Sequence, residues 1–148
     1  MNEIFIKVLN EFNELYQFKR ATIGSAGFDL VAAIKKKITI KPSNSVLVPC
    51  GFCLQLPSNF EAQVRPRSGL ALKNSITVLN SPGTIDSDYR GEVKVILINH
   101  GLKSFSIEKG MRIAQIIFQE LPKFKVTKVN KLSETNRGEG GFGSTGLK

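Results

Sequence analysis

A chain of 148 residues, 41% hydrophobic and 22% charged, has the composition of an ordinary globular domain and the length for one core rather than two. No apolar run approaches the ~20 residues of a membrane helix. The opening MNEIFIKVLNEF carries Glu3 early and no unbroken apolar stretch, so no secretory signal is expected, the expected location is cytoplasmic, and no membrane partner is expected. A formal charge of +9 implies affinity for anions: nucleic acid, an acidic surface or a polyphosphate.

Short strand-forming runs recur along the chain, near residues 4–9, 28–34, 38–40, 46–56, 60–65, 76–79, 93–99, 105–107, 112–119 and 124–129. Most prolines punctuate these runs, and the one helical-looking piece is short, Ser68 to Lys73. No longer stretch keeps a 3.6-residue period. This pattern predicts an all-β barrel or jelly roll with one short helix.

Taken in order, Ser25 to Ala33 (SAGFDLVAA) sets Asp29 between Phe28 and Leu30, and a carboxylate among apolar neighbours usually has a partner. Lys35, Lys36 and Lys37 form the densest basic run; between Ile34 and Ile38 they read as a solvated turn rather than a nucleic-acid patch. Cys50-Gly51-Phe52-Cys53 imitates a redox motif, but such a motif opens a helix, and VLVPCGFCLQL reads as a strand. Residues three apart on a regular strand face opposite sides, and a zinc site would need more ligands than two thiols and one His. These cysteines read as packing thiols.

Arg65 to Lys73 (RPRSGLALK) places Arg67, Ser68 and Gly69 where the helix begins, where free N–H groups favour an anion; a plain Ser N-cap is the alternative. From Leu79 to Val93 the chain predicts a long-looped hairpin whose tip carries Asp86 and Asp88, bracketed by Ile85 and Tyr89. A merely solvated turn has no need of such apolar brackets. Farther on, GMRIAQIIF inserts Arg112 and Gln115 into an apolar strand, on opposite sides if that strand is regular.

From Lys131 the apolar pattern stops, and five of the last eighteen residues are glycine. A tail of this composition is expected to be mobile when alone. Gly138, Gly140 and Gly143 spell a dinucleotide-binding pattern, which is rejected because no helix can follow, and the register excludes a P-loop. Glycine amides with Arg137, Ser144 and Thr145 can still cradle phosphate.

The segments AGFDL, PRSGLA, GTIDSDYRG, G-x-RIAQ and RGEGGFGSTG occur in this order across residues 26–146. Together they resemble the five motifs of the trimeric dUTPase family. Met111 departs from the Asp usual in G-D-R-I-A-Q, a change that bears on a local salt bridge or stability rather than activity. The resemblance implies a jelly-roll-like β-barrel over residues 1–130 with a flexible arm, residues 131–148, that closes over the active site. It also implies a homotrimer whose active sites are shared between chains, and Mg²⁺-dependent hydrolysis of dUTP to dUMP and pyrophosphate. Asp86 matches the general base, Asn80 a uracil contact, and Tyr89 the ring beneath the deoxyribose. Arg67, Ser68, Gly69 and Gln115 match phosphate contacts, and Asp29 lies near the metal, through water. Arg137, Phe142, Gly143, Ser144 and Thr145 match the closing arm, with Phe142 stacking on the base. Such an enzyme limits uracil in DNA and supplies dUMP for dTMP synthesis; no specific nucleic-acid partner is expected. A dCTP deaminase-like enzyme and a basic nucleic-acid-binding barrel remain as alternatives. The first lacks an obvious extra carboxylate to attack cytosine C4, and the second leaves the tail motif unexplained.

Overall fold

A computed structural model describes residues 2–141. Its strands are β1 (Phe5–Val8), β2 (Phe28–Val31), β3 (Ile38–Ile40), β4 (Ser45–Gln55), β5 (Phe60–Arg65), β6 (Ile76–Val78), β7 (Gly83–Ile85), β8 (Glu92–Asn99), β9 (Phe105–Ile107) and β10 (Arg112–Glu120). One helix, α1 (Ser68–Asn74), and a 3-10 turn at Asn10–Leu15 complete the regular structure. The strands pair antiparallel in two four-stranded sheets, β1-β4-β8-β6 and β2-β10-β5-β7, plus the small pair β3-β9. This is the all-β, jelly-roll-like class expected from the strand spacing.

Alternation along the longer strands explains why the sheets face each other. Val48, Cys50, Phe52 and Leu54 of β4 and Val93, Val95 and Leu97 of β8 point inward and are buried, as a period of two requires. Ala62 and Val64 of β5 and Ile113, Ala114 and Ile116 of β10 join them in the same core. Cys50 is sealed there, and burial pushes its thiol pKa well above the ordinary range. Cys53 is half-buried outside the core, beside Phe5 and Arg90. Tyr16 and Phe18 stack on each other and meet Phe52 edge-on. The Tyr16 hydroxyl donates to Val31 O at 3.3 Å and accepts from Val31 N at 3.2 Å, tying the N-terminal segment to β2.

Two expectations change. Residues 124–129 form no strand, and Phe124 and Val126 are 79% and 84% exposed. Strand propensity needs a ladder partner to be realised, and none of the described residues offers one. Conversely, β7 forms inside the predicted hairpin loop, because Gly83–Ile85 pairs with Ala62–Val64 of β5.

Candidate active site

Six of the residues expected at the site, together with Asp29, line two separate clefts. The first is built by the predicted hairpin, in which β6 pairs with β8 (Ile76 opposite Asn99, Val78 opposite Leu97). The loop between them is stitched to the other sheet through β7, so its tip is fixed at both ends. Beyond Ile85 the chain turns, with Tyr89 N donating to Asp86 O at 3.2 Å. Arg90 locks the turn by donating to Ser87 O at 2.7 Å and Tyr89 O at 3.0 Å. The Tyr89 hydroxyl donates to Glu92 O at 3.0 Å, and its ring lies so close over Gly91 that any Cβ there would collide with it.

Asp86 and Tyr89, with Thr84, Ile85, Glu92 and Leu47, line a groove of about 420 Å³. The Asp86 carboxylate is exposed and makes no ion pair among the described residues. Asn80 is exposed at the base of the loop, its amide packed against Gly83.

The second cleft, about 450 Å³, lies where β2, β10 and α1 meet. Asp29 stands opposite Gln115, which in turn stands opposite Arg65. The expected partner of Asp29 is double: Oδ1 pairs with Arg67 Nε at 3.1 Å and Oδ2 with Arg112 Nη1 at 3.3 Å. Arg67 also donates from Nη1 to Arg112 O at 3.2 Å. Gln115 is a half-buried donor, with Nε2 2.9 Å from Pro66 O, and Gly27 leaves room for its side-chain oxygen. Ser68, Gly69 and Lys73 complete the wall. Arg67, Lys73 and Arg112 outnumber the single carboxylate, so the cleft is suited to a polyanion.

Two local readings are corrected here. Ser68 is not an N-cap: Arg67 occupies that position in extended geometry with no side-chain cap bond, and Ser68 begins the helix. Nor are Arg112 and Gln115 on opposite sides. A β-bulge between Arg112 and Ala114 sets Arg112 opposite Val31 and Ala114 opposite Leu30, which brings Arg112 and Gln115 into one cleft. Two successive buried residues, Ile113 and Ala114, are the sequence trace of that bulge. Met111 is half-buried against the core, an apolar environment that suits its side chain.

No residue lines both clefts. Ile85 pairs with Ala62, and Arg67 lies five residues further along the chain, about 16 Å at strand spacing. Arg137 lies in neither: it is exposed and its Nε donates to Gly140 O at 2.7 Å. Phe142, Gly143, Ser144 and Thr145 lie outside the described residues. Gly91, the seat of the Tyr89 ring, and Arg112 went unassigned in the sequence reading.

Among the described residues no group of three or more His, Cys, Asp or Glu could cage a metal. The one carboxylate of the basic cleft already holds two guanidinium groups. A hard divalent cation fits this site when oxygens of a polyphosphate supply its ligands.

A sequence model of the dUTPase family matches residues 13–146. The deoxyuridine 5'-triphosphate nucleotidohydrolase of Rickettsia prowazekii is 57% identical over 146 residues, covering 98% of this chain and 97% of that one. The enzyme of the same name from Rhizobium rhizogenes is 57% identical over 128 residues, 85% of this chain and 82% of its own. Among solved structures, a mutant dUTPase of Staphylococcus bacteriophage 80alpha with dUpNHpp gives a TM-score of 0.87 at 22% identity, covering 99% of this chain and 100% of that one. A mutant dUTPase from phage phi11 of S. aureus, described with a structural Mg(II) ion, gives 0.78 at 14% identity, covering 90% and 100%. At those identities the likeness establishes the fold.

Proposed function

The chain belongs to the dUTPase family, and from that premise we propose that it hydrolyses dUTP to dUMP and pyrophosphate in a homotrimer whose active sites each draw on more than one chain. The observation that carries the shared site is the separation just described. Asp86 and Tyr89 lie in one cleft, Arg67, Ser68, Gly69 and Gln115 in another, and no residue is common to both.

A docking face supports this reading. The outer face of β4, β8 and β6 presents Leu47 and Leu79 around Thr77, Ile96 and Ile98, and Leu47 also lines the Asp86 groove. An apolar face of this kind marks an association surface, and a second copy seated on it would bring its own residues beside Asp86. Exposed Leu121, Phe124, Val126, Val129 and Leu132 offer further apolar surface for such packing.

In the reaction, Asp86 accepts a proton from a water as the water oxygen bonds to the α-phosphorus. The bond from that phosphorus to the oxygen bridging the β-phosphate breaks, and the electron pair leaves with pyrophosphate. Arg67, Gln115 and the amides of Ser68 and Gly69 hold the phosphates and offset developing charge. Tyr89 packs beneath the deoxyribose, where a 2′-hydroxyl would clash, and Asn80 contacts uracil. Asp29, through water, and the triphosphate oxygens would hold a Mg²⁺ ion, which would add charge neutralisation at the phosphates. The arm, residues 131–148, closes over the nucleotide from the barrel of residues 1–130, with Arg137, Ser144 and Thr145 on phosphate, Gly143 letting the backbone approach, and Phe142 on the base. The setting is cytoplasmic nucleotide metabolism, limiting uracil in DNA and supplying dUMP for dTMP synthesis.

Pyrophosphate release measured across dUTP, dCTP, dTTP and UTP tests the substrate: release should be confined to dUTP, and ammonia from dCTP would point to a deaminase instead. The shared site is tested by mixing two inactive proteins, one truncated after Asn136 and one carrying Asp86→Ala. Subunit exchange creates sites with an intact Asp86 and an intact arm, which should be active. Proven mixed assemblies without activity would sink the shared site.

A further inference from the structure

The Asp86 groove is lined by a second carboxylate, Glu92, for which the reading above has no task. Glu92 begins β8 opposite Cys53, while Lys94 lies opposite Pro49, so Cys50, Gly51 and Phe52 of β4 stand against Val93 alone. Gly51 therefore has no partner across the ladder, and its N–H must be satisfied in another way. Glu92 reaches across and accepts it at Oε1, 2.9 Å away. We propose that Glu92 is a positioning residue for sugar selectivity, its side chain fixing the backbone on which the Tyr89 ring is seated. This deepens the proposed function and rests on its placement of Tyr89 beneath the deoxyribose.

The turn that carries Asp86 and Tyr89 is strung between two anchors. At its start Ile85 pairs with Ala62, one residue before Asp86. At its end Gly91 lies under the ring, and Glu92 follows directly. Gly51 is a firm post for that second end. Its carbonyl accepts from Leu9 N at 2.8 Å, and Ala33 and Phe12 crowd it so closely that any Cβ would collide with them. The Glu92 side chain is only 23% exposed, and a backbone N–H bonds a carboxylate more strongly than it bonds a neutral acceptor. Lys94, 4.0 Å from the other carboxylate oxygen and half in solvent, contributes little by comparison. Without the tie to Gly51, Gly91 and Glu92 shift together and carry the seat of the ring with them, while Asp86 stays held by β7. Sugar selectivity then depends on the reach of this side chain rather than on its charge.

The test uses the full assembled protein and reads, by pyrophosphate release, the ratio of kcat/KM for dUTP to that for UTP. Glu92→Asp keeps the charge but is one methylene short of Gly51 N, so the ratio should fall by about tenfold, the scale of a lost hydrogen bond to a charged group. Glu92→Gln loses the charge but keeps an acceptor oxygen at the same reach, and should return most of the ratio. Ile107→Val, in the core and outside the groove, lowers the melting temperature without touching this tie, and should leave the ratio where it was. An unchanged ratio in Glu92→Asp, a loss in Glu92→Gln as large as in Glu92→Asp, or an equal loss in Ile107→Val would each overturn the proposal while leaving the proposed function standing. An unaltered protein with no preference for dUTP over UTP, or a preference that survives Tyr89→Ala, would instead refute the placement of Tyr89, and the inference with it.

Discussion

Replacing Gly91 with Ala tests the sugar-reading role proposed for the Tyr89 ring apart from the rest of the fold. A Cβ on Gly91 would stand 2.6 Å from Tyr89 Cζ and 2.9 Å from Cε2, closer than real contacts allow. Because Tyr89 is 45% exposed, its ring can move aside, and the cost to folding is confined to the hydrogen bond at 3.0 Å from its hydroxyl to Glu92 O. Such a bond contributes about 0.5–1.5 kcal/mol net. For a domain of this size that lowers the melting temperature by about 1–6 °C. On the proposed role of Tyr89 the catalytic effect should be larger in kind, since a displaced ring would no longer fill the space beneath C2′. Rejection of one misplaced small group typically amounts to about 10- to 200-fold in kcat/KM, so the preference for dUTP over UTP should fall within that range. Pyrophosphate release on both nucleotides, beside thermal melts, gives the two numbers. Tyr89→Phe is the control: it loses the same hydrogen bond but keeps the ring, so its melting temperature should drop similarly with the preference retained. A Gly91→Ala protein that keeps full preference for dUTP, or one that unfolds more than about 10 °C early, would refute the assignment of Gly91 as the seat of the ring.

Asp86→Asn should leave nucleotide affinity nearly intact while turnover falls at least about a hundredfold, the scale of a lost general base; near-normal turnover would remove Asp86 from that role. Gly51→Ala should destabilise the protein by about 2 kcal/mol or more in a denaturant melt. Its φ of +74° disfavours a side chain, and a Cβ would sit 2.7 Å from Ala33 Cβ and 2.9 Å from Phe12 Cδ2; an unchanged midpoint would contradict this packing. Alkylation of the native protein, read by peptide mass, should label Cys53 and spare Cys50, whose burial withholds the reactive thiolate. Labelling of Cys50 before unfolding would show that the core opens there.

What the chain disclosed in advance was mainly local. Alternation in SVLVPCGFCLQ and EVKVILIN fixes which face of β4 and β8 is buried, and those strands formed as expected. Asp29 between Phe28 and Leu30 called for a partner, and it has two. Features set by register between distant segments were hidden. The triplet Gly83–Ile85 has no strand signal of its own and becomes β7 only because the edge of β5 is free to receive it. The bulge in β10 depends on pairing with β2, so the reach of Arg112 could not be read from its spacing to Gln115. Residues 124–129 erred the other way, since Phe124 and Val126 carry strand propensity that the described part of the chain does not use.

The placement of β7 links the fold to the division of the site. The hairpin of β6 and β8 belongs to one sheet, and β7 carries its loop across to pair with β5 of the other. That crossing fixes the backbone at Ile85 beside Ala62, one residue before Asp86, so the proposed base is positioned by strand pairing rather than by a free loop. The same crossing points Asp86 toward one end of β5, while the chain leaves the other end through Pro66 into Arg67 and α1. A base held this firmly cannot swing to the basic cleft of its own chain without unpairing β7. Rigid positioning of a water-activating carboxylate favours catalysis, and in the proposed shared site it would also commit Asp86 to phosphates delivered by another chain. The apolar face bearing Leu47, at the rim of the Asp86 groove, is where a second copy would deliver them.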